Sequence, residues 1–293
     1  MDESRDLHQY VPGRPHWWQW LTVLSLDAPL VAVAWQIALG RAAHSPVRGH
    51  HVFILGAAVW LAYAADRWIE GWRLAPEQIL TQRHWFHQQW RRPLAVAWIG
   101  VLLAAVTTSA ILLTRREFAV GLLLLGPVLA YLLSHQLLHR NHAWRAPKEI
   151  CVALLFMAGV ACFPAANRLA TVTDVAVPLA FFGLLCFADC ALISRWEDDV
   201  DRSHGQTSLA LQFPRSRTFV RAMPWIIAVL GSGFAWHDSQ AVGITWCAAA
   251  SGGLLGAVDL AHRRLGRQMA RVLADVALMT PFVLLALEAA DSA

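Results

Sequence analysis

The chain has 293 residues, of which 57% are hydrophobic and only 15% charged, against about a quarter charged in an ordinary soluble domain. Its mean hydropathy is +0.44 and its apolar residues run in blocks, which excludes a disordered chain and argues against a soluble globular enzyme. The 24 basic and 20 acidic side chains leave a formal net charge of +4; the basic ones sit in short loops between apolar blocks, where they report membrane orientation and give no sign of a nucleic-acid partner.

The amino terminus, MDESRDLHQY, carries acids and no early apolar core, so it does not read as a cleaved signal peptide. Residues 1–19 are expected to form a short cytoplasmic tail. A spanning helix needs roughly 20 mostly apolar residues, and the apolar blocks predict spans near 20–39, 52–69, 93–113, 118–138, 149–166, 175–195, 218–236, 241–260 and 272–289. Pro29, Pro127, Pro178 and Pro281 fall within or at the edges of these blocks, which membrane helices tolerate. Gly252 and Gly256 form a small-residue spacing in the eighth block, suited to a close helix contact. The expected fold is all-α: one polytopic integral membrane domain, 1–293, built as a bundle of nine helices.

The loops divide unequally. One side carries 19 of the 24 basic residues and the other carries Arg41, Arg48, Arg115, Arg116 and Arg168. By the positive-inside rule the rich side faces the cytoplasm, placing the amino terminus inside and the carboxyl terminus outside, in a cytoplasmic membrane. Cys151, Cys162, Cys186, Cys190 and Cys247 lie inside apolar blocks with no CxxC pair, and neither bridges nor a redox centre are expected. His84, His87, His135, His139 and His142 gather on the basic side but form no recognised metal-ligand motif.

Two acidic clusters end the second and sixth blocks on the basic side. The first contains Asp66, Arg67, Glu70 and Arg73; the second contains Arg195, Glu197, Asp198, Asp199, Asp201 and Arg202. Residues four apart lie one helical turn above each other, so Asp66 with Glu70, and Glu197 with Asp201, each present two carboxylates on one face. Two readings stand. The neighbouring arginines neutralise the acids, or the acids hold a divalent cation that bridges to a phosphorylated substrate, as magnesium does. Asp27 in the first block and Asp189 in the sixth are carboxylates at membrane depth, a position that faces the bundle interior by default.

The second cluster, Glu197-x-x-x-Asp201-Arg202-x-x-Gly205-x-x-Ser208-Leu209, resembles the second aspartate-rich motif of the UbiA superfamily of intramembrane prenyltransferases, with glutamate in place of the first aspartate. Lys148-Glu149 opening the fifth block, with Phe156 and Gly159 beyond it, is also similar to members of that family. The resemblance implies a nine-helix UbiA-like bundle with catalytic, magnesium-binding acids at Asp66, Glu70, Glu197 and Asp201, and Asp198 and Asp199 as alternate ligands. It implies diphosphate contacts from Lys148, Arg140, Arg145 and Arg202, while Asp27 and Asp189, by their depth in the membrane, are the candidates for an acceptor pocket. The implied substrates are a prenyl diphosphate and an aromatic or other lipophilic acceptor, met within membrane lipid. The first motif departs from the family's NDxxDxxxD, since the leading Asn-Asp falls on Ala62 and Tyr63. The alternative is therefore a non-catalytic relative that keeps the bundle as a lipid-binding or scaffold element. Acceptor identity, chain length of the prenyl group and oligomeric state are not written in the sequence.

Overall fold

The structure is a computed structural model and describes residues 15–45, 47–73, 82–134, 147–167, 173–203, 208–237 and 241–291. Among these residues the chain is helical, with no strand. A 3₁₀ turn at Trp17–Gln19 leads into α1 (Trp20–Val23) and α2 (Asp27–Ala42), followed by α3 (Gly49–Arg73), α4 (Gln82–Gln89), α5 (Arg91–Leu112) and α6 (Arg115–Leu133). Then come α7 (Lys148–Asn167), α8 (Ala176–Trp196), α9 (Asp198–Ser203), α10 (Leu209–Gln212), α11 (Arg217–His237), α12 (Val242–Leu265), α13 (Arg267–Ala277) and α14 (Pro281–Asp291). Seven of these helices (α3, α5, α6, α7, α8, α11, α12) are long and apolar enough to cross a membrane, and two bent pairs raise the number of candidate spans to nine.

The bent pairs are where continuous blocks in the sequence become broken helices. The first block turns by 77° between Val23 and Asp27, at Ser25, whose φ of 59° lies in the left-handed region that side chains rarely enter. A break at membrane depth strands backbone groups and is tolerated only where protein satisfies them. Arg67 of α3 does so here: it donates to the Thr22 carbonyl and to Ser25 Oγ, the latter at 2.7 Å. The ninth block bends by 43° between Ala277 and Pro281; proline fits the first turn of α14, where its missing N–H is no loss. Elsewhere the ends are conventional. Thr114 and Glu117 close a reciprocal capping box at the start of α6, and Gly266, with φ of 77°, makes the tight turn from α12 to α13.

α8 is the central element, with 61% of its apolar stretch buried, whereas α5 and α6 bury only 6% of theirs and present leucine and isoleucine outward, as lipid requires. Lipid tails are as apolar as leucine, so apolar area alone does not hold such helices together; close packing and hydrogen bonds do. Trp35 of α2 is fully buried, stacks on Phe182 of α8 at 4.8 Å between ring centroids, and donates from Nε1 to the Leu278 carbonyl at 2.8 Å. α11 and α12 approach most closely at Gly252 and Gly256, where an added Cβ would meet the Pro224 carbonyl oxygen at 2.7 Å and the Trp225 ring at 2.6 Å.

Candidate functional site

The charged contacts sort the bundle into two ends. At one end lie Arg41 with Glu288 at 2.6 Å and His51 with Glu117 at 3.1 Å. The other end, called the acidic end below, gathers Glu197, Asp198, Asp201 and Asp259 with their basic partners.

α8 stops at Trp196, and Glu197 occupies its C-cap, with the short α9 following. The Asp201 N–H still donates to the Glu197 carbonyl at 2.9 Å, so the two acids remain one turn apart despite the interruption. Glu197 Oε2 accepts from Arg271 of α13 at 2.7 Å and from Arg83 of α4 at 3.3 Å. Asp201 is buried; its Oδ1 lies 3.4 Å from Lys148 Nζ at the start of α7, and its Oδ2 accepts no hydrogen bond. Asp198 pairs with Arg217 at 3.1 Å, while Asp199 and Arg202 are exposed. Asp66 is partly exposed on α3. Glu70 lies on the same helix, but its side chain is outside the described residues, as are Arg140, Arg145, His135, His139, His142 and Gly205 and the side chain of His84.

The arginines adjacent in sequence to the acidic clusters point elsewhere. Arg67, beside Asp66, turns into the core toward Asp27, 3.6 Å away. Arg195, beside Glu197, pairs with the buried Asp259, which also accepts from Trp196 Nε1 at 3.0 Å and Arg221 Nε at 3.2 Å and so ties α8, α11 and α12 together. The cations that do meet Glu197, Asp198 and Asp201 come from distant segments. That leaves an array of alternating signs, with Arg83, Lys148, Arg217 and Arg271 interleaved among three acids. Glu149, fully buried next to Lys148, accepts from Ser194 Oγ and from the Leu209 N–H at 3.0 Å. It pins the segment following the second acidic cluster to α7 and α8.

Among the described residues no three His, Cys, Asp or Glu side chains form a group that could hold a metal ion by themselves. Magnesium asks for less: it keeps several waters and commonly takes one or two carboxylates together with substrate phosphates. Asp201, with one buried oxygen unused, and the partly exposed Asp66 are hard oxygen donors of the kind it takes, so the donor chemistry fits.

Deeper in the bundle lies a second polar region. Eight residues before Glu197, hence about 12 Å down the helix axis, Asp189 of α8 lines a cavity of about 30 Å³ with Asp275 of α13, Tyr63 of α3, Val152 and Phe156 of α7, Cys186 and Cys190. Asp27 borders it: its Oδ1 accepts from the Ala28 N–H at 2.9 Å, and Asp275 is within hydrogen-bonding reach of it. Asp27 and Asp189 were expected from their depth in apolar blocks. Asp275 carries the same signal, a carboxylate inside an apolar block, yet is absent from the expected acceptor pocket. Arg83 and Arg271 carried no local signal, since only the fold brings them to Glu197.

No model of a known protein family matches the chain, and no curated protein matches it. Among solved structures it is similar to the apo structure of a UbiA homolog from Aeropyrum pernix K1, with a TM-score of 0.54 and 18% identity, over 89% of this chain and 98% of that one. The two chains share a fold.

Proposed function

We propose that this chain is a UbiA-type prenyltransferase of the cytoplasmic membrane, which moves an isoprenoid chain from a prenyl diphosphate to a lipophilic acceptor. The observation that carries this reading is the mixed array at the acidic end, built from Glu197, Asp201, Lys148, Arg83 and Arg271 on five different segments of a bundle that shares the fold of a UbiA homolog. In such a transfer the allylic carbon–oxygen bond breaks with its electron pair leaving on diphosphate. The acceptor nucleophile supplies the pair for the new bond and gives up a proton. Stabilising charge where it develops is the largest catalytic lever available to a protein.

In this reading the chain's own groups divide the work. Lys148, Arg83 and Arg271 take up the diphosphate charge, exchanging part of their contact with Asp201 and Glu197 for phosphate oxygens. Arg202, exposed one residue beyond Asp201, adds positive charge around the same anion, the role that the sequence resemblance also assigns to Arg140 and Arg145. Asp66 and Asp201, with Glu70 and Glu197 as further donors and Asp198 and Asp199 as alternates, would hold magnesium, which would supply positive charge to the diphosphate oxygens. Asp27 and Asp189 face the acceptor's polar head below. The acidic end faces the cytoplasm in this scheme, because the basic loops lie there.

A second reading has its own observation. Glu197 already satisfies two guanidinium groups, and Ala62 and Tyr63 stand where the family's first motif has Asn-Asp, which favours a bundle that binds lipid without catalysis. Binding of a fluorescent prenyl diphosphate to the purified protein separates the two. A catalyst requires magnesium: chelation is expected to weaken binding at least about tenfold, the loss of one charge-assisted contact, and Asp201→Asn is expected to remove most of that dependence. Binding that ignores both the chelator and the substitution defeats the catalytic reading.

A further inference from the structure

The cavity beneath the acidic end has an unbalanced charge inventory. Three carboxyl groups, Asp27, Asp189 and Asp275, come from α2, α8 and α13, and among the described residues around the cavity one guanidinium, Arg67, faces them. Arg67 is itself engaged with the Thr22 carbonyl, Ser25 Oγ and Asp27, and lies over the Tyr63 ring, 5.9 Å from its centroid. Asp189 is 6% exposed, and its Oδ1 accepts no hydrogen bond; Asp275 Oδ2 is buried and accepts none either. Two surplus negative charges inside a membrane bundle are expensive. A bound cation lowers that cost. Two aromatic rings also line the cavity: Tyr63 and Phe156 meet edge to face with ring centroids 6.0 Å apart. An aromatic face attracts a cation. Tyr63, Val152 and Phe156 are partly exposed, whereas Asp189 at the inner wall is not.

We infer that this cavity binds the protonated amino group of a lipophilic ligand, with the ammonium between Asp189 and Asp275 and beside the Phe156 ring. An ammonium group brings three N–H donors and one positive charge, enough to reach both unused carboxylate oxygens and to offset one of the two surplus negative charges. A hydroxyl group brings one donor and leaves the charge uncorrected. The cavity volume of about 30 Å³ accommodates a head group of the size of one or two waters, so the body of the ligand runs outward between α3 and α7, past Tyr63 and Val152. The protonated amine is an anchor and not the nucleophile, since it has no free electron pair. The inference rests on the prenyltransferase reading only in calling the ligand an acceptor.

The test uses the full-length protein in detergent with no prenyl diphosphate and no magnesium present, so that the site is tested apart from the reaction. 2-Phenylethylamine and 2-phenylethanol serve as probes, differing in the head group alone. The amine is expected to raise the thermal unfolding midpoint saturably and to bind at least about tenfold more tightly than the alcohol. Asp189→Asn and Asp275→Asn are each expected to weaken the amine about tenfold and leave the alcohol unchanged. Equal stabilisation by the two probes, or amine affinity retained in both variants, overturns the inference. Should neither variant fold, the unaltered protein is treated with dicyclohexylcarbodiimide, which attacks protonated carboxyl groups in apolar surroundings. Labelling mapped to Asp189 or Asp275 and suppressed by the amine but not the alcohol supports the site; labelling indifferent to the amine overturns it. Amine binding without any prenyl transfer leaves the site standing and removes the reaction.

Discussion

Arg67 is the residue whose role changed most between sequence and structure. Its neighbours in the chain are Asp66 and Glu70, and local electrostatics alone pairs it with them. In the folded bundle it is 4% exposed, faces Asp27 and satisfies the break in the first span. Removing one partner of a buried pair leaves the other charge uncompensated, at a cost of about 3–5 kcal/mol. Arg67→Met is therefore expected to lower the thermal unfolding midpoint in detergent strongly, and adding Asp27→Asn to it is expected to restore part of the loss. A double variant no more stable than Arg67→Met means that the Thr22 and Ser25 contacts, and not the ion pair, dominate. Asp27 and Asp189 were legible because a carboxylate in an apolar block is conspicuous. The partners of Glu197 were not, because Arg83 and Arg271 are 114 and 74 residues away from it in sequence, and no local pattern encodes such a pairing.

At the level of elements, hydropathy identified the blocks but not their shape. A window average is blind to the 77° bend at Ser25 and the 43° bend before Pro281, since broken and continuous helices have the same composition. The short α4, α9 and α10 at the acidic end were likewise invisible to it, yet α4 delivers Arg83 and α9 delivers Asp201. The contact of α11 with α12 lends itself to a paired experiment. Gly252→Leu places bulk where even a Cβ would meet backbone at 2.7 Å, and overpacking of that kind costs about 1–3 kcal/mol. Gly253, one residue on, has nothing within 4 Å of an added Cβ, so Gly253→Ala is expected to be neutral or to stabilise α12 by up to about 1 kcal/mol. Unfolding midpoints of the two variants moving by the same amount would show that helix propensity, and not the approach of α11, governs this segment.

At the scale of the whole molecule, the basic loops and the acidic array share one end, and the proposed orientation puts that end in the cytoplasm. A reporter peptide fused to the carboxyl terminus is expected to react with a membrane-impermeant reagent on intact cells, and one fused to the amino terminus only after the cells are opened. The reverse pattern inverts the scheme and strands the proposed diphosphate site on the wrong side. In the proposed reading the donor and the acceptor use different residues: the donor's charges would collect at the polar end, and the carboxylates of the buried cavity lie about two turns of α8 deeper.

What the linear chain determined alone was everything that depends on composition and short spacing: an all-helical membrane bundle, the approximate spans, the bias of the basic loops, and the one-turn pairing of Glu197 with Asp201. Those properties follow from local periodicity and transfer free energy, which need no knowledge of neighbours. Tertiary structure alone decided which cation meets which acid, that Arg67 turns inward while Arg83 and Arg271 reach Glu197, and that Asp189 and Asp275 line one cavity with Asp27 next to Asp275. Ion pairs and cavities are set by distance in space, and in a bundle of antiparallel spans residues remote in the chain become neighbours at whichever end their helices share.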